Sequence, residues 1–443
     1  MVGQVYANAV RRVLVTSIDT LNANKQYYVL KPDKDFQRER KLPFDTTVNI
    51  LLQMENRSLQ TELLNYYNHD PDVPTKSAFC QQRKKLRAEA MAALFFSFTR
   101  EIISLDRPKT TKEGYLVLAC DGSDINLPYN PNDIETYHQN ANKRGYNQIH
   151  LNALYDIYNG IYVDIVLEPD RKSHERDAFI KMVDRYDLPY PAIFLADRGY
   201  EGYNVFAHLL SSGQKFVIRL KAPNSNGILS AYDVDVLRDE HGEFDCEIST
   251  ILTHRQTNEI KADRDTYTFV PRDHLDYFAE ATEFPLDLRV VCVKIADGIY
   301  EYLATNLGDD EFPLDRMKEL YHARWGIETS FRDLKYTIDV VHFHGRKRQY
   351  VEQEVWARLT VYNFCEAITR HTIVAKKSYA KHDVQINFAT ATNICKAFLR
   401  RCDDDEINVC RLIGRFLCPV RPGRTARRNL TPKSAKSFLY RAA

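Results

Sequence analysis

No apolar run in these 443 residues approaches the roughly 20 residues that a membrane-spanning helix needs, which excludes a helical integral membrane protein. The nine cysteines, scattered from Cys80 to Cys418, contain no C-x-x-C pair and are odd in number. That pattern argues against a disulfide frame or a zinc site and fits reduced thiols in a cytosol. A signal peptide is missing too, since Arg11 and Arg12 stand where its apolar stretch would lie, so a cytoplasmic location is expected. Net charge is nearly absent: 61 Lys plus Arg face 60 Asp plus Glu, a formal +1. This excludes a uniformly basic coat while leaving local basic surfaces open. There is no internal repeat and no low-complexity block. What remains is ordinary for a globular chain, 44% hydrophobic and 27% charged. At roughly 150 residues per domain, the length points to two to four domains.

Residues 1–41 read as a mixed N-terminal segment, with Lys31–Lys41 charged enough to be a solvated linker. Residues 42–110 read as helical, broken at His69-Asp70-Pro71 and restarted after Pro74 with Thr75 or Ser77 as the cap. Arg83, Lys84, Lys85 and Arg87 cluster there, where they either meet phosphates or face solvent. Within 111–221, Tyr115–Cys120 is an apolar run suited to a buried strand that ends at Asp121-Gly122. Alternating runs on either side of Asn159-Gly160 form a hairpin. Then come a helix over His174–Arg185, a strand over Ala192–Ala196, a helix over Tyr203–Ser212 and a strand over Lys215–Leu220. Strand, hairpin, helix, strand, helix, strand is the order of a ribonuclease H-like mixed α/β sheet. Residues 222–308 switch to period two, with Asp297-Gly298 turning one hairpin, and read as a β-rich insertion. Residues 309–375 return to helix and complete the core, and 376–443 form a helical, basic C-terminal region. Beyond Glu406 no acidic residue occurs while Arg424, Arg427, Arg428, Lys433 and others accumulate, an electropositive arm suited to a polyanion.

The helix after Pro313 carries the most chemistry. Tyr321, Arg324, Glu328 and Lys335 fall on one stripe, the last three at about 300°, 340° and 320° from Tyr321 at about 100° per residue. Leu320, Ala323, Ile327, Phe331, Leu334 and Ile338 form an adjacent apolar stripe. By itself that is an amphipathic helix with an Arg324–Glu328 ion pair at i,i+4. Asp121 and Asp197 add to it. Each ends a buried strand and is followed closely by Gly, and sites in open α/β sheets form outside such strand ends. Were the two strands neighbours, the carboxylates would repel unless cations neutralised them, and hard oxygen ligands select Mg²⁺ or Mn²⁺. Glu328, arriving from the later helix, would complete a two-metal site suited to in-line displacement at a phosphodiester. Asp124 rivals Asp121 as first ligand; Asp121 is preferred because it directly ends the apolar run.

Tyr321-x2-Arg324-x3-Glu328-x6-Lys335 resembles the Y-R-E-K signature of DDE transposases of the insertion sequence four family. Asp121 in LACDGSDINLP and Asp197 in IFLADRGYEG are similar to that family's first and second acidic blocks. The likeness covers roughly Tyr115 to Arg370. It implies a ribonuclease H-like core, a β-rich insertion between the second Asp and the Glu, and a divalent metal, Mg²⁺ with Mn²⁺ as substitute. Asp121, Asp197 and Glu328 would be the catalytic metal ligands. Tyr321, Arg324 and Lys335 would grip phosphates at the cleaved end, with Arg198 reaching DNA as well. The implied partners are transposon-end DNA and target DNA, bound by a homodimer, nucleoid-associated when on DNA. At one point the sequence departs from the pattern. Hairpin-forming relatives stack a flipped base on a Trp of the insertion, whereas here Trp325 and Trp356 both lie outside it. Tyr232, Phe244, Tyr267, Phe269, Tyr277 and Phe278 are the aromatic faces available there instead. Two other readings are a transposase-derived DNA-binding protein without catalysis, and a metal-dependent nuclease on the same fold.

Overall fold

The runs Leu116–Cys120 and Ala192–Ala196 have no polar face, and both become strands buried on either side. The structure, a computed structural model, describes residues 3–38, 40–140, 143–169, 174–232, 234–374, 383–400, 407–420 and 439–440. Five helices come first: α1 (Gln4–Ala23), α2 (Phe44–Gln53), α3 (Leu59–Tyr66), α4 (Lys76–Arg83) and α5 (Ala88–Leu105). Next are β1 (Leu116–Leu127), β2 (Tyr137–Asn140), β3 (Lys143–Asp156), β4 (Ile161–Pro169), α6 (Glu175–Asp184), β5 (Ala192–Ala196), α7 (Tyr203–Ser211) and β6 (Lys215–Leu220). The following stretch holds β7 (Phe244–Thr253), α8 (Asn258–Ala262), β8 (Tyr267–Phe269), β9 (Glu283–Ala296) and β10 (Ile299–Thr305). Then come α9 (Leu314–His322), α10 (Trp325–Tyr336), β11 (His342–Phe343), α11 (Arg348–Arg370), β12 (Val384–Ile386), α12 (Phe388–Arg400), α13 (Val409–Ile413), β13 (Leu417–Pro419) and β14 (Leu439–Tyr440).

Strands β1 to β10 form one mixed sheet. Its centre runs β4-β3-β1-β5-β6, with β4/β3 and β3/β1 antiparallel and β1/β5 and β5/β6 parallel. This is the ribonuclease H-like order anticipated from the sequence. The β-rich stretch extends that sheet: β10 pairs antiparallel with β6, and β9, β7 and β8 follow outward. The Asp297-Gly298 turn between β9 and β10 is as read, with Gly298 at φ +70°, where an L side chain would be strained. The other hairpin turns over four residues, Ile157–Gly160, rather than two.

One sheet face carries α5, α10 and α11, with α1 packed on α5 and α11; the other carries α6 and α7. Nearly all of α11 is buried, including Gln353, Glu354, Arg358 and Asn363, so each polar group needs a partner. Asn363 finds its own in Thr99 of α5 and in both backbone groups of Tyr162 on β4. No helix among the described residues is long and apolar enough to cross a membrane.

Four expectations need correcting. The opening segment is not mixed: Tyr6, Val10, Leu14, Ile18 and Leu21 repeat at helical spacing and seat α1 in the core. Arg83 is not a surface cation, being 3% exposed and paired with Glu354. The long helix after Pro313 divides into α9 and α10, although Ala323 and Arg324 keep helical dihedrals between them. Finally, β1 does not stop at Asp121. It runs on to Leu127 because Asp121–Leu127 pair with β3. The basic arm over residues 421–438 and 441–443 lies outside the described residues.

Candidate active site

Register brings the two aspartates together. Parallel pairing of β1 with β5 sets Leu116 beside Ala192 and Ala119 beside Leu195. Two further steps along the same register set Asp121 beside Asp197. There β5 ends, and Asp197 caps a short turn by accepting the Gly199 amide at 2.7 Å. Asp121 accepts the amide of Gly122 at 2.9 Å. Gly122 is therefore no turn residue. A Cβ there would drive into the His150 ring and lie 2.9 Å from a Glu175 carboxylate oxygen, so close approach explains the glycine.

On the face above, α10 packs on β1 through Ile327, Phe331 and Leu334. Glu328 sits in its first turn, and its carboxylate meets the Arg324 guanidinium at 3.2 Å. Burial raises the Asp121 carboxyl to about 6, with the charges of Asp197 and Glu328 adding to it, against the Gly122 amide and Arg324. Burial is the main cause, and the gathered carboxylates add a need for positive charge. Arg324 answers part of the need. Burial works against its charge, yet Tyr321 and the carboxylates of Asp121, Glu328 and Asp197 raise its pKa on balance.

The remaining residues of the stripe differ in their surroundings. Tyr321 is 4% exposed, and burial pushes its phenol up to about 12. Its hydroxyl and the Arg324 Nε are both buried and make no hydrogen bond among the described residues. Lys335 is half-buried; burial lowers its pKa and the Asp124 charge opposes that. Arg198 is exposed on the turn after Asp197. Asp124, the rival first ligand, is engaged by His150 Nδ1 at 2.8 Å from directly across the β1/β3 pair.

Two residues of this neighbourhood, His150 and Glu175, escaped the sequence reading, and Trp325 was read only as lying outside the insertion. His150 lies between Asp124 and Glu175, 3.2 Å from the latter. Burial works to lower its pKa, but hydrogen bonds to Asp124 and Glu175 lift it to about 9, so it is an imidazolium at neutral pH. The signal was its position as a polar residue inside the alternating β3 run. Trp325 is 47% exposed and lies 5.7 Å from the Arg324 guanidinium. Its place between Arg324 and Glu328 was the available clue. Among the insertion aromatics, Phe244 and Phe278 are core residues, whereas Phe269 is exposed.

The donor set suits a hard divalent cation in kind and charge, for it consists of carboxylates pressed together beside β1 and β5. Among the described residues no three His, Cys, Asp or Glu side chains are yet gathered closely enough to cage an ion. The Glu328 carboxylate is turned to Arg324 instead.

A family model described as "Transposase DDE domain" matches residues 112–364, more than half of the chain. No curated protein matches. A solved structure titled "Cryo-EM structure of piggyBac transposase synaptic complex with hairpin DNA (SNHP)" is similar at 11% identity and a TM-score of 0.43. The likeness covers 86% of this chain and 76% of that one.

Proposed function

The chain belongs to the family of transposase DDE domains, and from that premise we propose that it is the transposase of a bacterial insertion sequence, cutting DNA at the element ends and joining them to target DNA. Asp121, Asp197 and Glu328 would hold the divalent ions, Mg²⁺ with Mn²⁺ able to replace it. When bound, such ions supply Lewis acidity that activates an attacking hydroxyl and balances charge on the leaving oxygen. Water first hydrolyses the phosphodiester at each end and frees a 3′-hydroxyl. That hydroxyl then attacks a target phosphodiester and displaces the target's own 3′ oxygen.

What carries this reading is the pair of buried, unpaired donors, Tyr321 Oη and Arg324 Nε, beside three carboxylates. A buried polar group left unpaired costs about 1–3 kcal/mol, so a fold retains two together where a ligand satisfies them. A phosphate does so, taking the guanidinium bidentately and the phenol as a further donor. Lys335 adds a point charge, and Arg198 meets DNA from the exposed turn after Asp197. Two ends must be handled together, so a homodimer on DNA is the working unit, in the cytoplasm at the nucleoid. End recognition falls to the N-terminal helices, where Lys84 and Arg87 are exposed. The basic C-terminal arm assists.

The test uses purified protein, Mg²⁺ or Mn²⁺, and a plasmid carrying the DNA that flanks the gene. Nicking or excision at defined positions, lost in Asp121→Ala and in Glu328→Gln while DNA binding persists, is the expected result. Binding without cleavage in either metal would replace it with a non-catalytic DNA-binding protein. Cleavage without joined products would leave a nuclease.

A further inference from the structure

Beyond Ala196 β1 has no parallel neighbour, and a gap opens beside Asp121 and Asp197. Glu175, the first residue of α6, enters this gap from the sheet face opposite α10. A Cβ on Gly122 would lie 2.9 Å from Glu175 Oε1, and one on Gly199 would lie 3.8 Å from Glu175 Oε2 and 2.9 Å from Asp197 Oδ1. The carboxylate thus rests against the backbone next to Asp121 and the backbone two residues past Asp197, at positions kept free of side chains.

The placement is held from both ends. Ala178, Phe179 and Met182 bury α6 in the core of that face. The carboxylate meets His150 Nε2 at 3.2 Å, and His150, only 7% exposed, is fixed in turn by Asp124 at 2.8 Å. An open cleft of about 650 Å³, lined by Asp124, His150, His174, Glu175, Arg176 and Gly199 among others, gives solvent and ions access. Its contact with His150 Nε2, which itself stands over Gly122, brings the Glu175 carboxylate to the flank of Asp121 and Asp197, where its like charge repels theirs. A shared cation removes that repulsion.

We propose that Glu175 is a fourth acidic group of the site, helping Asp121 and Asp197 to hold the divalent ion, and that His150 is the positioning residue that aims it. The inference rests on the metal-site reading given above. Its test is Mn²⁺ binding to the full-length protein without DNA, followed by the electron paramagnetic resonance of unbound Mn²⁺. Four variants are compared with the parent: Glu175→Gln, His150→Gln, these two combined, and Asp121→Asn. Glu175→Gln weakens Mn²⁺ affinity about tenfold or more. His150→Gln weakens it too, and the double variant is no weaker than Glu175→Gln alone, because His150 acts through Glu175. A merely structural histidine would give additive losses. Parental Mn²⁺ affinity in Glu175→Gln, with affinity lost in Asp121→Asn, overturns the role of Glu175 and leaves the metal site standing. Parental affinity in Asp121→Asn overturns the metal-site reading and this inference with it. Glu175→Gln is isosteric at a half-exposed position. Should it not fold, Glu175→Asp, which withdraws the charge by one methylene, is judged by the same criteria.

Discussion

Replacing Arg83 by Ala strips a buried guanidinium of three partners at once. Its Nε donates to Gln353 Oε1 at 2.8 Å, its Nη1 to Glu354 Oε1 at 2.9 Å, and its Nη2 to the Tyr350 carbonyl. All of these partners belong to α11, so the contact ties α4 to the helix that lies on the sheet. Breaking a buried pair by removing one partner costs about 3–5 kcal/mol, because the other charge is left behind. Here Glu354 keeps the amides of His344 and Gly345 and has Arg358 at 3.6 Å, which places the expected loss at the low end, about 3 kcal/mol. Set against a total of about 5–15 kcal/mol, that is a large shift in urea midpoint at pH 7. The pH dependence has a definite sign. Burial would raise the Glu354 carboxyl, but Arg83, His344 and Arg358 hold it well below the ordinary range. A depressed carboxylate contributes stability that is present above its unfolded pKa of about 4.3 and lost as pH falls through the folded value. The variant should therefore be less stable at neutral pH and lose less on acidification. Arg83→Met combined with Glu354→Gln should recover much of the loss, since neither buried charge remains. Unchanged unfolding in Arg83→Ala together with weaker DNA binding would refute the reasoning and return Arg83 to the surface cluster read from the sequence.

Tyr321→Phe should leave stability unchanged or raise it by about 1 kcal/mol, since it deletes a buried unpaired hydroxyl, while slowing cleavage of end DNA. A parallel fall in urea midpoint and activity would mean that the hydroxyl serves the fold. Gly122→Ala should cost about 1–3 kcal/mol by overpacking against His150 and Glu175, and His150→Ala in the same chain should relieve it; thermal unfolding of the single and double variants decides. Asp156, fully buried, is raised by burial from 3.8 to about 6 against hydrogen bonds from Asn159 and Tyr158. A raised carboxyl binds its proton more tightly in the folded state, so its ionisation subtracts stability above pH 6. About 3 kcal/mol of that returns as pH falls from 6 toward 4. Urea titrations should show this increment in the parent and not in Asp156→Asn.

Much of the architecture could be read locally. Buried strands announce themselves as unbroken apolar runs, and Ala192–Ala196 and Lys215–Leu220 begin and end where their composition says. The helix α1 was equally legible, since Tyr6, Val10, Leu14 and Ile18 keep helical spacing, but Arg11, Arg12 and Asp19 on the other side disguised it. Other features have no local signature. Arg83 reads as one more cation in a basic run until α11, some 270 residues on, supplies Glu354. The joining of β10 to β6 likewise depends on a pairing across more than 80 residues, which no window of sequence contains.

The site shows both sides of this in a few residues. Apolar runs of equal length, Leu116–Cys120 and Ala192–Ala196, each lead into an aspartate, so parallel strands begun together deliver Asp121 and Asp197 side by side. The strand end that sequence placed at Asp121-Gly122 was wrong for a related reason. Gly after Asp is the commonest turn signal, and nothing nearby reveals that β3 continues the pairing or that His150 and Glu175 need the space. Where local rules fail, the compensating gain tends to lie in function. The Tyr321 hydroxyl and Arg324 Nε fail the rule that buried donors are paired. Gly122 fails the rule that strand interiors avoid glycine. Both failures border the same aspartates, and a phosphate held beside a divalent ion would resolve the first while the crowding of Glu175 accounts for the second.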